Sequence, residues 1–471
     1  MCMPDNSTTS GGSPLSSAGL QETETQRKKS LHKAIGASAM GNFTEWFDYG
    51  VYASTAVYIA NALFPENGTI GTLLGFAISF VLRPLGGFVW GPLGDKIGRK
   101  AVLATTILLM AGSTTLIAFL PTYAVAGWLG AVLLIVLRMV QGFSTGGEYG
   151  GAATFMAEYS PDRQRGKYGS FLEFGTMCGF AGGTAVVLLL QVILSEEQMQ
   201  EYGWRIPFLM ALPMGFIGWY LRNQIHDSPV FVELKDNKQN QDSAVGGLKQ
   251  LLTQQWRPIL VLFGLVIALN VSNYTLIAYM PTYLHGAIGM DPETGSKVLL
   301  VAQVIMAALI PFFGALSDRT GRKPMWWISL IGLLVLSWPL FQLMEQGTVL
   351  AMVALVVLGV LYIPQLATIT ATFPAMFPTP VRFAGFAISY NVATAAFGGT
   401  APYVNESMIE ATGQSLFPAW YMMGACVIGL IALPFLQETK GCSIRGTEVP
   451  GPDTDATRLA HIEEARLAKA E

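Results

Sequence analysis

Charge is scarce in this chain. Only 13% of its residues are Asp, Glu, Lys or Arg, against 52% that are hydrophobic, and the mean hydropathy is +0.44. That balance excludes an ordinary soluble domain. A formal net charge of -3 leaves no basic excess for nucleic acid. Cysteine is also rare. Cys2, Cys178, Cys426 and Cys442 form no closely spaced pair and two of them sit in apolar runs, so neither a disulfide framework nor a thiolate metal site is supported. His32, His226, His285 and His461 all fall outside the apolar runs, no His-Glu-x-x-His pattern exists, and no Ser/His pair can be placed in a bilayer. These absences argue against a membrane-embedded enzyme and leave no metal or cofactor to expect. The first 30 residues, rich in Ser, Thr, Gly and Gln, lack an apolar core and read as a disordered tail without a cleaved signal peptide.

What the chain has in abundance is apolar runs of membrane-spanning length. They fall at roughly 36–60, 70–90, 101–121, 125–156, 166–194 and 206–222, then at roughly 257–284, 297–316, 325–344, 349–374, 384–408 and 416–436. A polar stretch with Asp227, Glu233, Lys235, Asp236, Lys238 and Asp242 separates the two sets. The expected architecture is an all-α membrane protein of twelve transmembrane helices in two pseudo-symmetric six-helix bundles. Its parts are a tail (1–30), a first bundle (31–222), a central loop (223–255), a second bundle (256–437) and a C-terminal tail (438–471). Asp455 to Glu471 reads as a short helix whose apolar stripe, Leu459, Ile462 and Leu467, is too short for a coiled coil.

The two sets look like a duplication. Gly91-Pro92-Leu93-Gly94-Asp95-Lys96-Ile97-Gly98-Arg99-Lys100 joins the second and third runs, and Gly314-Ala315-Leu316-Ser317-Asp318-Arg319-Thr320-Gly321-Arg322-Lys323 returns at the corresponding place of the second set. Glycine lets helix ends approach, an aspartate such as Asp95 can accept from helix-end amides, and the basic pair stays at the water interface. Ser160-Pro161-Asp162-Arg163-Gln164-Arg165-Gly166 before the fifth run is echoed by Pro378-Thr379-Pro380-Val381-Arg382-Phe383-Ala384-Gly385 before the eleventh. Related halves of this kind place a substrate near the bilayer midplane and rock around it.

Basic residues set the expected orientation. Lys96, Arg99, Lys100, Arg163, Arg165, Lys167, Arg222, Lys235, Lys238, Lys249, Arg319, Arg322, Lys323 and Arg382 fall on one side, while Arg205 and Lys297 are the exceptions on the other. This bias puts both termini in the cytoplasm.

Ionisable residues inside the runs are functional candidates. In the first run Asn42, Glu45, Trp46, Asp48, Tyr49 and Tyr52 occupy one arc of a helix that must face the bundle interior. Arg138 and Gln141 lie one turn apart in the fourth run, and Glu148 follows about 15 Å along the same helix. Glu148 and Glu173 are the leading candidates to gain and lose a coupling proton, with Glu45 and Asp48 behind them. Arg83 and Glu158 sit near helix ends, where a long side chain reaches the interface and the structural role is favoured, although Arg83 can also hold an anionic group. Asn270, Asn273 and Tyr274 share one face of the seventh run, Pro281 marks a bend, Gln365, Thr368 and Thr372 line one side of the tenth, and Ser389, Tyr390 and Asn391 fall in the eleventh. With Trp46, Tyr49 and Phe174 they form a candidate aromatic site, suited to a cation that takes no hydrogen bonds.

The duplicated motif resembles the loop between the second and third helices of the major facilitator superfamily, and Arg138-x-x-Gln141-Gly142 matches a pattern of its fourth helix. The resemblance implies gating roles for Gly91, Asp95, Gly98, Arg99, Arg138, Gln141, Gly314, Asp318, Gly321 and Arg322. Gly41-Asn42-Phe43-Thr44-Glu45-Trp46-Phe47-Asp48-Tyr49-Gly50, Arg83-Pro84-Leu85-Gly86-Gly87 and Gln141-Gly142-Phe143-Ser144-Thr145-Gly146-Gly147-Glu148-Tyr149 resemble its metabolite:proton symporter family. Tyr279-Met280-Pro281-Thr282-Tyr283-Leu284 and Phe373-Pro374-Ala375-Met376-Phe377-Pro378-Thr379 look most like the proline/glycine betaine group. That implies proton-driven symport of a zwitterion such as proline, glycine betaine or ectoine in a bacterial inner membrane, with no obligatory protein partner. The alternative is an organic anion such as citrate, 2-oxoglutarate or shikimate. Some members of that group carry a long tail ending in a coiled coil linked to osmotic activation; this sequence shows none.

Overall fold

The computed structural model describes residues 24–64, 68–97, 99–146, 148–223, 253–444, 449–455, 457–459 and 462, and among them every regular element is helical. In the first half these are α1 (Glu24–Leu63), α2 (Gly68–Val81), α3 (Arg83–Ile97), α4 (Arg99–Ile117), α5 (Leu129–Thr145), α6 (Glu148–Tyr159), α7 (Arg165–Ile193) and α8 (Ala211–Asn223). The second half contributes α9 (Trp256–Asn273), α10 (Met280–Gly286), α11 (Pro292–Thr320), α12 (Arg322–Met344), α13 (Thr348–Leu366), α14 (Arg382–Ala393), α15 (Ala401–Thr412) and α16 (Phe417–Ala432). Single helical turns join several of them.

Among the described residues, 8 helical stretches are long and apolar enough to cross a membrane. A bilayer supplies no partner for a bare peptide group, so spanning segments satisfy their hydrogen bonds internally as helices. The remaining four expected spans fall on α1, which carries the polar arc, on α4 and α8, and on the broken pair α14 and α15.

Helix breaks place side chains at mid-depth. Pro84 follows the turn at Leu82 that separates α2 from α3, where proline can neither donate nor accommodate the preceding carbonyl. A break at Gly146 separates α5 from α6. The bend expected at Pro281 begins earlier. Residues Tyr274–Ala278 form a π-helical turn between α9 and α10, and Thr394–Gly398 form another between α14 and α15. Such turns are frequent at functional positions.

The halves meet along α7 and α11. A Cβ on Gly314 would lie 2.6 Å from the Gly166 carbonyl oxygen, so only glycine permits this approach. We call this the motif end, because the second copy of the Gly-Asp-Gly-Arg pattern closes α11 here, with Gly321 at φ 102°. Arg382 Nη1 lies 3.3 Å from Glu158 Oε1, and Arg165 Nη2 donates to the Cys442 carbonyl at 2.8 Å. Burial lowers Arg382 to about 10.

One boundary differs from those expected. The first helix already begins at Glu24, while residues 1–23 lie outside the described set. So do residues 224–252 of the expected central loop, and 445–448, 456, 460–461 and 463–471 of the tail. The tail is also less detached than its polar composition suggests. Cys442, Ser443 and Ile444 are buried, and Ile444 clusters with Ala157 of α6 and Ala375. Cys178, Cys426 and Cys442 are free thiols.

Candidate functional site

The arc of α1 lies wholly inside the protein: Asn42, Glu45, Trp46, Asp48, Tyr49 and Tyr52 are all buried. Two guanidinium groups meet it. Arg138 Nη1 is 3.1 Å from Asp48 Oδ2 and 2.9 Å from Gln141 Oε1, and its guanidinium lies 3.5 Å from the centre of the Tyr52 ring. Gln141 in turn donates to Thr114 Oγ1 at 2.6 Å. Arg83 Nη2 reaches Tyr49 Oη at 2.8 Å and Glu45 Oε1 at 3.4 Å, and lies over the rings of Phe80, Tyr49 and Trp46 at 4.3, 5.2 and 5.7 Å. This corrects the expectation that Arg83 reaches the interface. It is 2% exposed, because the start of α3 packs closely on the end of α5 and the side chain reaches across to Glu45 and Tyr49 of α1. Asn42 donates to the Leu172 carbonyl at 3.0 Å and to Thr176 Oγ1, fastening α1 to α7.

A cavity lies between the halves, walled by Trp46, Tyr149, Tyr274, Tyr362 and Tyr390, with Glu173 its carboxyl group. Thr176, Asn270 and Asn273 add polar atoms, and Leu269, Leu366 and Ile369 complete the lining. Tyr149 Oη donates to Glu173 Oε1 at 2.5 Å, and the Tyr149 ring stacks on Tyr390 at 4.8 Å and 19°. Tyr274 packs on Phe80, Phe76 and Trp46 at 5.0, 6.0 and 6.4 Å, so the π-helical turn brings a ring of the second half into the aromatic cluster of the first. Asn270 Nδ2 donates to Thr394 Oγ1 at 2.7 Å, which joins α9 to the π-helical turn after α14. Asn273 Oδ1 and Trp46 Nε1 are buried without a partner, two polar atoms free for a guest.

Other candidates lie apart. Phe174 is half-buried and meets Phe171 at 6.0 Å. Asn391 Nδ2 spends its bond on the Gly146 carbonyl across the interface at 3.1 Å. Gln365 donates to Ser329 Oγ of α12 at 2.8 Å, so the side of α13 that meets the cavity is that of Tyr362 and Leu366. Glu148 opens α6, but its side chain lies outside the described set, as do the side chains of Asp95 and Arg99, the surroundings of Gly91 and the whole of Gly98. In the second copy of the motif, Arg322 Nη2 is 2.7 Å from Asp318 Oδ1. Sequence reasoning missed Tyr149, Thr176 and Tyr362. The signal for Tyr149 was its place beside an intramembrane carboxylate, and that for Tyr362 was its position one turn before Gln365.

Residues 38–402 match the family model of the Major Facilitator Superfamily. The chain belongs to that superfamily. It is 40% identical over 442 residues to the ectoine/proline transporter ProP of Corynebacterium glutamicum, covering 89% of this chain and 86% of the relative. It is 39% identical over 434 residues to the proline/betaine transporter of Salmonella typhimurium, covering 90% and 87%. The fold is shared with a D-xylose-proton symporter structure, with a TM-score of 0.69 at 20% identity over 87% of this chain and 99% of that one. This facilitator is thus a multi-pass membrane transporter and not an enzyme. Its cavity sits where the two halves meet, the place at which this architecture binds what it carries.

Proposed function

We propose that this facilitator takes up a zwitterionic osmolyte such as proline, glycine betaine or ectoine together with protons, by alternating access. The observation that carries the reading is the cavity itself, five aromatic side chains around one carboxyl group. Ring faces attract a quaternary or secondary ammonium that offers few hydrogen bonds, and the names of the relatives point to the same substrate class. The two arginines that meet the arc of α1 argue against a di- or tricarboxylate. Arg83 already faces Glu45 and Arg138 faces Asp48, so neither guanidinium is a spare cation for an acidic guest.

In this reading Glu173 carries the coupling proton. It lines the cavity beside the substrate, and its bond to Tyr149 survives in either protonation state, with the phenol or the acid as donor. Symport requires that substrate and proton together favour switching more than either alone. The basic bias of the loops supports cytoplasmic termini in a bacterial inner membrane, with residues 31–222 and 256–437 as the two rocking bundles of this reading.

The test is uptake of labelled proline and glycine betaine into proteoliposomes with an imposed proton gradient, with citrate and 2-oxoglutarate as competitors, at two external osmolalities. Saturable zwitterion uptake, collapsed by a protonophore and indifferent to the acids, is the expected result. Competition by an acid moves the assignment to organic anions. Glu173→Gln is expected to lose accumulation and keep exchange; that phenotype in Glu148→Gln instead would move the proton to Glu148.

A further inference from the structure

The seam along α6 and α14 joins the two halves at four places between the cavity and the motif end. Asn391 donates to the Gly146 carbonyl at 3.1 Å, Tyr149 stacks on Tyr390 at 4.8 Å, a Cβ on Gly150 would sit 3.1 Å from the Ala387 Cβ, and Glu158 meets Arg382 at 3.3 Å. Of these seam residues only Tyr149 also touches the carboxyl group of the cavity, at 2.5 Å. One side chain thus has its hydroxyl on Glu173 in the first half and its ring on Tyr390 in the second.

We propose that Tyr149 is the positioning residue that converts the protonation state of Glu173 into the parting of the two halves. This rests on the reading of Glu173 as the coupling carboxyl. With Glu173 ionised, the Tyr149 hydroxyl donates to a carboxylate, a bond about twice as strong as its neutral counterpart. That bond holds the phenol ring in one plane, the plane that Tyr390 stacks on. When Glu173 takes a proton from water on the open side, the carboxylate becomes a carboxylic acid, the bond persists at its weaker neutral strength, and the hold on the ring relaxes so that it can follow or leave Tyr390. The device is bistable because the seam is packed to contact at Gly150 and cannot loosen gradually.

The other groups around Glu173 do not offer this link. Thr176 lies on the same helix, Tyr362 on α13 and Tyr390 on α14 are phenols that line the cavity, and Glu45 on α1 is paired with Arg83. Glu45, Tyr362 and Tyr390 lie close enough to interact electrostatically with Glu173, whereas Tyr149 and Thr176 are positioned to hydrogen-bond it.

Tyr149→Phe tests the proposal, because it keeps the ring and its stack and removes only the hydroxyl. The primary readout is substrate-free: the distance between spin labels at exposed positions Glu197 and Gln346, one in each half, compared in mildly acidic and mildly alkaline buffer. In the otherwise native background the population ratio is expected to move with pH, and in Tyr149→Phe that movement should shrink by about tenfold. Gradient-driven accumulation of labelled glycine betaine should fall by about tenfold in the same variant. Tyr390→Ala, which leaves the bond to Glu173 and removes the stack, should blunt the pH response in the same way, so the proposal does not depend on one variant folding. An undiminished pH response in Tyr149→Phe overturns it. If Glu173→Gln abolishes the response while Tyr149→Phe keeps it, Glu173 stands as the coupling group and Tyr149 does not transmit. If neither variant alters it, both readings fall together.

Discussion

Asp318 at the end of α11 accepts hydrogen bonds from the backbone N–H groups of Gly166, at 2.9 Å, and Lys167, at 2.8 Å, in the first turn of α7. The first amides of a helix have no partner within it, and the helix dipole favours a negative charge there. The aspartate of the second motif copy therefore joins the two halves across the motif end, while Arg322 Nη2 holds the same carboxylate at 2.7 Å.

Asp318→Asn keeps one acceptor oxygen and replaces the other by a donor that opposes the Lys167 or Gly166 amide. Loss of one hydrogen bond to a charged group costs about 1.5–3 kcal/mol, or roughly a ten- to hundredfold shift away from the closed motif end. A cysteine at Ser170, buried beside Gly314 in wild type, should react faster with a thiol reagent by that factor. Equal rates in the two backgrounds would show that Asp318 does not hold the closure.

Gly314→Val should block closure by sterics alone. Its first side-chain carbon would meet the Gly166 carbonyl oxygen, a backbone atom that cannot swing aside. Uptake should fall to background while the protein still inserts and elutes as a single species on gel filtration. Near-normal uptake would mean that α7 and α11 never approach this closely during transport.

The Asp48–Arg138 pair should be a structural bridge as well as a candidate coupling pair. Removing one partner of a buried pair leaves the other charge uncompensated and typically costs about 3–5 kcal/mol. Asp48→Asn should therefore lower the thermal denaturation midpoint in detergent, and Asp48→Asn with Arg138→Gln should recover part of the loss. A double variant less stable than the sum of its singles would contradict the pairing.

The segment after the last membrane helix should act as a strap across the motif end. The Ile444 carbonyl accepts from Arg382 Nη2 and from Thr379 Oγ1 at 3.1 Å, its side chain packs on Ala157, and the Cys442 carbonyl accepts from Arg165 at 2.8 Å. Ile444→Asp places a charge in that apolar contact and should raise labelling of the Ser170→Cys probe; unchanged labelling would show that the strap does not hold the closure.

The sequence by itself determined the membrane class, the positions of the helices and the duplicated motif. Desolvation of the backbone acts on each segment locally, so runs of apolar residues mark helices without knowledge of their neighbours. It also determined that the polar arc of α1 faces inward, since a shared face follows from 100° of rotation per residue. Tertiary structure alone decided which partner each polar group met. Arg83 could be assigned to the interface by its distance along a helix, and only the close packing of α3 on the end of α5 brought it to Glu45 and Tyr49 of α1. Tyr149 was likewise overshadowed by the carboxylate beside it. The break at Gly146 resets the helical phase, and periodicity read from α5 carries no information beyond it. The stack of Tyr149 on Tyr390 joins residues far apart in sequence, and nothing in the local pattern of either helix specifies that contact.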